Sequence, residues 1–304
     1  MLRRSVCKGM AWASMWLMIS AAAAADSANF VDVSYKASAN PAAERSLFAE
    51  SRPNLRSTTA LIIDQGSGTT IYEKNTGSTA SIASITKLMT AMVVLDANLP
   101  LDETLTISNA DVDTIKHTRS RLKVGTRLVR EDLLRLALMS SENRAAAALG
   151  RNYPGGTSAF VAAMNRKAAE IGMANTHFVD PTGLDSRNVS TAQDLVKMVD
   201  AAYRYSLICQ FTTTSSHAVT TASGRRMEFH NSNRLVKNPD WNIGLSKTGY
   251  ISEAGRCLVM QAKIAAHSVV IVLLDSWGKY TRLGDANRIK RWLETQLTRR
   301  PGIG

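Results

Sequence analysis

A serine and a lysine three residues apart put a hydroxyl and an amine on one face of a helix, one turn from each other, where the amine can take the hydroxyl proton. The chain carries this pair four times, at Ser5, Ser84, Ser120 and Ser276, so spacing alone selects none of them. Ser5 sits in a leader-like segment, Ser120 in the charged stretch 117–123, and Ser276 before Trp277-Gly278, which reads as a loop. Ser84 alone opens an apolar helical pattern, with Lys87 one turn on. A helix N-terminus there directs backbone N–H groups and the positive end of the dipole at the reacting centre. Ser-x-Asn also occurs four times, at Ser27, Ser38, Ser141 and Ser186. Ser141-Glu142-Asn143 falls between two helical segments, in a loop able to present both polar side chains to a cleft, whereas Ser186 follows a Pro-Gly turn and also fits ordinary turn chemistry. Lys247-Thr248-Gly249 occurs once: an ammonium and a hydroxyl suited to a carboxylate, and a glycine that lets a substrate approach the strand backbone.

The elements that must position these groups follow from periodicity. Residues 59–64 and 69–73 are β-rich runs around Gln65-Gly66-Ser67-Gly68, the pattern of a hairpin with a four-residue loop. From Ser84 the apolar residues Ile85, Leu88, Met89, Met92, Val93 and Leu95 recur three and four apart, predicting a helix to about Ala97, with Met89 and Met92 as core packing. Helical patterns follow at 130–139, 145–151, 158–171 and 192–205, the last capped by Ser190 or Thr191, with breaks at Pro154-Gly155-Gly156 and Asp180-Pro181-Thr182-Gly183. Strands return weakly at 219–221 and 227–229, then clearly at 258–264 and 268–274, and an amphipathic helix at 285–297 places Ile289, Trp292 and Leu293 on one face. Strands from both ends of the chain around a helical middle predict an α+β fold: one antiparallel sheet backed by terminal helices, with a mostly helical lobe inserted.

Composition bounds what such a chain can be. Its 304 residues, 45% hydrophobic, suffice for one large core or two modest ones. Arg3, Arg4 and Lys8 precede an apolar run at 10–19 and small residues at 21–25, the pattern of a signal peptide cleaved near Ala25. An uncleaved N-terminal anchor is the alternative reading, although the run is shorter than the roughly 20 residues of a span. Cleavage removes three positive charges, taking the net charge from +12 to 12 − 3 = +9. The mature chain stays basic and favours anionic partners, and export argues against nucleic acid. Residues 26–56 are predicted to be a flexible extension, 57–298 the folded domain and 299–304 a tail. Cys7 leaves with the leader, and Cys209 and Cys257 are expected as free thiols. The histidines 117, 177, 217, 230 and 267 lack metal-ligand spacing, so no metal and no cofactor is expected, and His177 is expected to support the loop before Pro181.

With gaps of 57 and then 106 residues between their first members, Ser84-Ile85-Thr86-Lys87, Ser141-Glu142-Asn143 and Lys247-Thr248-Gly249 resemble the three signature motifs of the penicillin-recognising serine enzymes. Ala83 to Lys87, Met139 to Asn143, His177 to Leu184 and Gly244 to Tyr250 resemble the low-molecular-mass D-alanyl-D-alanine peptidases, above all endopeptidases of the penicillin-binding protein 7 type, over roughly residues 57–298. The resemblance implies a DD-peptidase/β-lactamase-like fold and a periplasmic hydrolase of D-alanyl bonds in peptidoglycan stem peptides. By that resemblance Ser84 is the nucleophile and Lys87 its base, while Ser141 relays a proton to the leaving amine. Asn143 orients Lys87 and the substrate amide, Lys247 and Thr248 hold a substrate carboxylate beside Gly249, and the N–H groups of Ser84 and Tyr250 form the oxyanion hole. Lys87 must then be neutral near pH 7, against about 10.4 for a free lysine, with burial and the Lys247 charge expected to lower it.

The same resemblance implies β-lactams as covalent inhibitors and other cell-wall enzymes as partners. The Glu-x-x-x-Asn loop motif of penicillin-hydrolysing relatives is absent between Ser141 and Lys247, so a penicillin should acylate Ser84 and stay. The chain ends soon after its last helical pattern, without the second β domain and amphipathic anchor of many carboxypeptidase relatives, so no stable membrane attachment is expected after cleavage. Cross-link endopeptidase is the leading reading. D-alanyl-D-alanine carboxypeptidase is the alternative within the enzyme class, and a penicillin-binding scaffold without turnover the alternative outside it.

Overall fold

The computed structural model describes residues 52–221 and 224–298; the expected leader and most of the expected extension lie outside them. In chain order the elements are β1 (Ser57–Asp64), β2 (Thr70–Lys74), β3 (Ala80–Ser81), α1 (Lys87–Asp96), β4 (Thr104–Thr106), β5 (Arg127–Val129), α2 (Arg130–Met139), α3 (Asn143–Arg151) and α4 (Gly156–Glu170). There follow β6 (Val189–Ser190), α5 (Ala192–Tyr203), α6 (Ser206–Thr213), β7 (Ser216–Thr220), β8 (Arg226–His230), β9 (Asn242–Ile251), β10 (Gly255–Ile264), β11 (His267–Ser276) and α7 (Thr281–Thr298).

The main sheet runs β2-β1-β11-β10-β9 and every pairing in it is antiparallel. The first and last strands among the described residues thus meet at its centre, as the α+β reading requires. Period-two alternation sorts the side chains between two layers. Ala60, Ile62, Val269, Ile271 and Leu273 face Ala286, Ile289, Trp292 and Leu293 of α7, so the predicted apolar face of the last helix is the one buried. Leu61, Val270, Val272 and Leu274 face the helical lobe, whose core is built around α1 with α2 to α6. Of the two terminal helices expected to flank the sheet, α7 is the C-terminal one; an N-terminal one would fall outside the described residues.

The junction of β1 with α7 is polar and buried. Asp285 accepts hydrogen bonds from the N–H groups of Arg56 and Ser57 and from the Ser57 hydroxyl, and pairs with Arg288. Leu55 is buried in the α7 layer, so the chain is fixed just ahead of β1. Burial pushes the Asp285 carboxyl up, but those donors outweigh it and leave its pKa below the ordinary value.

Several local readings need correction. β9 escaped the period-two test because its two glycines and its Ser246-Lys247-Thr248 run interrupt alternation. The pattern at 192–205 is helix α5, which ends at Tyr203, and a second helix, α6, starts at Ser206 where the sequence reading placed none. The cap of α5 is Thr191, whose side chain accepts from the Asp194 N–H. Ser276 lies in no loop: it ends β11, buried, with its Oγ 2.6 Å from that of Ser57.

Candidate active site

The site forms where α1 enters the helical lobe beside edge strand β9. Ser84 lies in a 3-10 turn, Ala83–Thr86, that runs into α1 at Lys87, so the α-helix begins one turn later than the sequence pattern suggests. The tight turn has a backbone cause. Ala83 has φ +47°, and the turn is pressed between two glycines. At Gly183 (φ +75°) a Cβ would stand 1.9 Å from the Ala83 carbonyl oxygen; at Gly249 it would stand 2.9 Å from the Ile82 carbonyl oxygen and 3.2 Å from the Ser84 nitrogen. Gly249 thus admits the turn bearing Ser84 against the strand, a role different from the expected approach of substrate.

Lys87 is wholly buried, and its Nζ stands 2.8 Å from Ser84 Oγ, 2.8 Å from Asn143 Oδ1 and 2.6 Å from the Thr182 carbonyl oxygen. A neutral amine has two N–H donors and one lone pair. The amide and carbonyl oxygens can accept only, which leaves the lone pair for the one partner that can donate, the Ser84 hydroxyl. Burial lowers the Lys87 pKa to about 8, with Asp180, Glu142 and Asp113 pulling the other way. The expected push from Lys247 falls on Lys247 itself: burial first, then the charges of Lys87 and Arg282, hold it well below the ordinary lysine value.

The Thr182 carbonyl is delivered by a turn that Asp180 assembles. Its carboxylate accepts from the N–H groups of Thr182, Gly183 and Asp185 and from the Thr182 hydroxyl. Buried Asn188 braces the same turn through the Val179 N–H, the Asp180 carbonyl and Thr86 Oγ1, so Ser186-Arg187-Asn188 is turn chemistry. His177 supports this loop through its backbone, which pairs in both directions with Val189.

Asn143 opens α3 from the short loop after α2. Its Nδ2 donates to Thr118 Oγ1 at 3.0 Å, and Thr118 Oγ1 donates to Asp113 Oδ2 at 2.7 Å. Because Thr118 has already given its proton to Asp113, it can only accept from Asn143, which turns Oδ1 toward Lys87. Ser141, in the same loop, has φ +61°, a conformation that non-glycine residues rarely adopt. Its Oγ accepts from Lys247 Nζ at 2.9 Å; Lys247 also donates to the Thr248 carbonyl at 3.0 Å, which leaves one of the three donors of an ammonium. Thr248 Oγ1 donates to Ser232 Oγ at 2.7 Å, and Arg282 donates to the Gly249 carbonyl at 2.9 Å. Tyr250 is 56% exposed at the rim, its ring 4.4 Å from the Arg256 guanidinium.

Ser84, Lys87 and Asn143 thus form one hydrogen-bonded group and Ser141, Lys247 and Thr248 another, and the two meet in one cluster where Gly249 packs against the Ser84 turn, with Tyr250 next along β9 at the surface. Asp113, Thr118, Asp180, Thr182, Asn188, Ser232 and Arg282 also belong to this cluster and were not singled out as site residues. Only the Asp180 turn carried a sequence signal, through the His177 to Leu184 segment.

A serine hydroxyl on a buried amine of lowered pKa, beside a second lysine and a serine, is equipment for acyl transfer through a serine ester. With the α+β fold, it defines an active-site-serine hydrolase. Residues 46–278 match the family described as D-alanyl-D-alanine carboxypeptidase. The chain is 51% identical to a D-alanyl-D-alanine endopeptidase of Pseudomonas aeruginosa over 249 residues, 81% of this chain and 80% of that protein. It is 48% identical to a D-alanyl-D-alanine endopeptidase of Escherichia coli over 81% of this chain and 79% of that protein. A Streptomyces DD-transpeptidase crystal structure superposes with a TM-score of 0.74 at 30% identity, over 80% of this chain and 98% of that one. The chain belongs to the D-alanyl-D-alanine carboxypeptidase family of serine peptidases.

Proposed function

We propose that this chain is a D-alanyl-D-alanine endopeptidase that cuts cross-links between peptidoglycan stem peptides through an acyl-Ser84 intermediate. The observation that carries the reading is the contact of Ser84 Oγ with the buried Lys87 amine at 2.8 Å. Lys87 takes the Ser84 proton as Oγ attacks the carbonyl carbon of a D-alanine. The backbone N–H groups of Ser84 and Tyr250 hold the resulting oxyanion, and Asn143 orients Lys87 and the substrate amide. Collapse breaks the C–N bond, and the leaving amine receives a proton through Ser141. Water then attacks the ester, returns a proton to Ser84 Oγ and frees the D-alanine carboxylate. Lys247, with Thr248 beside Gly249, meets a carboxylate of the substrate, which would restore the charge that burial disfavours.

The names of the two relatives near half identity support cross-link cleavage, whereas the family description supports the carboxypeptidase alternative. The leader-like residues 1–25 support export and a periplasmic site of action, and among the described residues no helix is long and apolar enough to cross a membrane. We propose β-lactams as covalent inhibitors. The test is digestion of purified cross-linked muropeptide dimers beside monomeric pentapeptides, with wild type and Ser84→Ala. Dimers should fall to monomers with wild type only, faster than pentapeptides release D-alanine. Equal products from both proteins would refute the enzyme reading, and D-alanine release matching dimer cleavage would shift it to carboxypeptidase.

A further inference from the structure

Of the large hydrophobic side chains most exposed among the described residues, the three aromatic ones are Tyr250 (56%), Trp277 (79%) and Tyr280 (50%). Sheet register brings them to one end of the molecule. Tyr250 of β9 lies opposite Arg256 of β10, which lies opposite Ser276 of β11, and Trp277 follows directly. Two strand spacings, about 10 Å, separate Tyr250 from Ser276. Tyr280 follows three residues after Trp277, and Arg282, two further on, reaches back to the Gly249 carbonyl. Cations stand over these rings: Arg256 at 4.4 Å from Tyr250, and Arg234 at 5.4 Å and Lys279 at 5.5 Å from Tyr280. Arg234 connects the patch to the cleft a second way, because Ser232, two residues earlier, bonds Thr248. Exposed aromatic faces interleaved with cations are costly to leave bare, and such patches mark interaction surfaces.

We propose that Tyr250, Trp277 and Tyr280, with Arg234, Arg256 and Lys279, form a docking platform for the glycan strand that carries the cleaved stem peptide. The proposal rests on the peptidase reading and extends it from the bond to the polymer. Aromatic rings fit the apolar C–H faces of sugars, and the cations fit the carboxylates of a peptide-bearing glycan. Continuity with the cleft selects this occupant over an anionic bilayer. Tyr250 belongs to both cleft and platform, and a flat membrane seated there would cover the edge strand where substrate must enter.

The test uses the full-length chain and the exposed pair Trp277→Ala/Tyr280→Ala, which leaves every residue of the Ser84 network in place. Wild type and variant are sedimented with purified sacculi and with phosphatidylethanolamine/phosphatidylglycerol vesicles. Both are also assayed for penicillin acylation and for turnover of soluble dimers. The expected result is about tenfold weaker sedimentation of the variant with sacculi, with acylation and soluble-dimer turnover unchanged. Equal sedimentation of the two proteins with sacculi overturns the proposal, as does a loss seen with vesicles and not with sacculi. A wild type that sediments through this patch yet cuts no dimer leaves the docking intact and refutes the peptidase reading instead.

Discussion

Lys87 Nζ stands 2.6 Å from the Thr182 carbonyl oxygen, 95 residues away in the chain, and that carbonyl is fixed by the carboxylate of Asp180. The proposed base is therefore aimed by a turn in another segment. Asp180→Ala should leave the N–H groups of Thr182, Gly183 and Asp185 without their acceptor and let the carbonyl drift. Penicillin acylation should fall roughly 10- to 100-fold, since each lost aiming contact is worth about 1–3 kcal/mol. Asp180→Asn keeps one acceptor oxygen and should recover part of the rate, which a general loss of folding would not allow.

A Lys87 pKa of about 8 makes acylation pH-dependent. Its neutral form is the base, so the rate of acylation by a penicillin should rise close to tenfold per pH unit below about pH 8 and level off above it. The Asp113 charge holds the lysine up, so Asp113→Asn should move that midpoint down. It should also slow the plateau rate, because Thr118 would no longer be committed to donating toward Asp113 and Asn143 would lose its fixed orientation.

The chemistry was more legible than its support. Ser84, Lys87, Ser141, Asn143 and Lys247 were readable because three motifs occur in order, each local enough to survive as spacing. Residues 113–118 were not, because an irregular loop has no period and a lone Asp or Thr has no signature. Thr182 acts through its backbone carbonyl, a group every residue carries, so its identity could not reveal it. The sheet's two-layer alternation could be read in β1 and β11, whereas β9 could not, because its Ser246-Lys247-Thr248 run and two glycines displace the apolar pattern.

Gly183→Ala should be costly. The added Cβ would meet the Ala83 carbonyl oxygen at 1.9 Å with the backbone at φ +75°, so the turn bearing Ser84 must move. A loss of about 3 kcal/mol is expected, or a Tm lower by roughly 6–12 °C for a domain of this size. An unchanged Tm in thermal melts would contradict the packing described for that turn.

Asp285 links the entry of β1 to α7 and should matter most when ionised. Its pKa is lowered in the folded protein, so its contribution is complete above the ordinary aspartate value of 3.8 and disappears as pH falls through the folded value. Asp285→Ala should cost about 3 kcal/mol at pH 7, because it leaves the buried donors of Ser57 and the part-buried N–H of Arg56 without their acceptor. Urea melts should show that deficit shrinking toward pH 3.

The most direct measurement for Ser84 is intact-protein and peptide mass spectrometry after incubation with benzylpenicillin. No Glu-x-x-x-Asn occurs between Ser141 and Lys247, and the Asp180 carboxylate is committed to its own turn, so neither supplies a base for a deacylating water. One intact penicilloyl group should therefore attach to the peptide containing Ser84, persist after free antibiotic is removed, and be missing from Ser84→Ala. Labelling of another serine, or equal labelling of wild type and Ser84→Ala, would contradict Ser84 as the nucleophile.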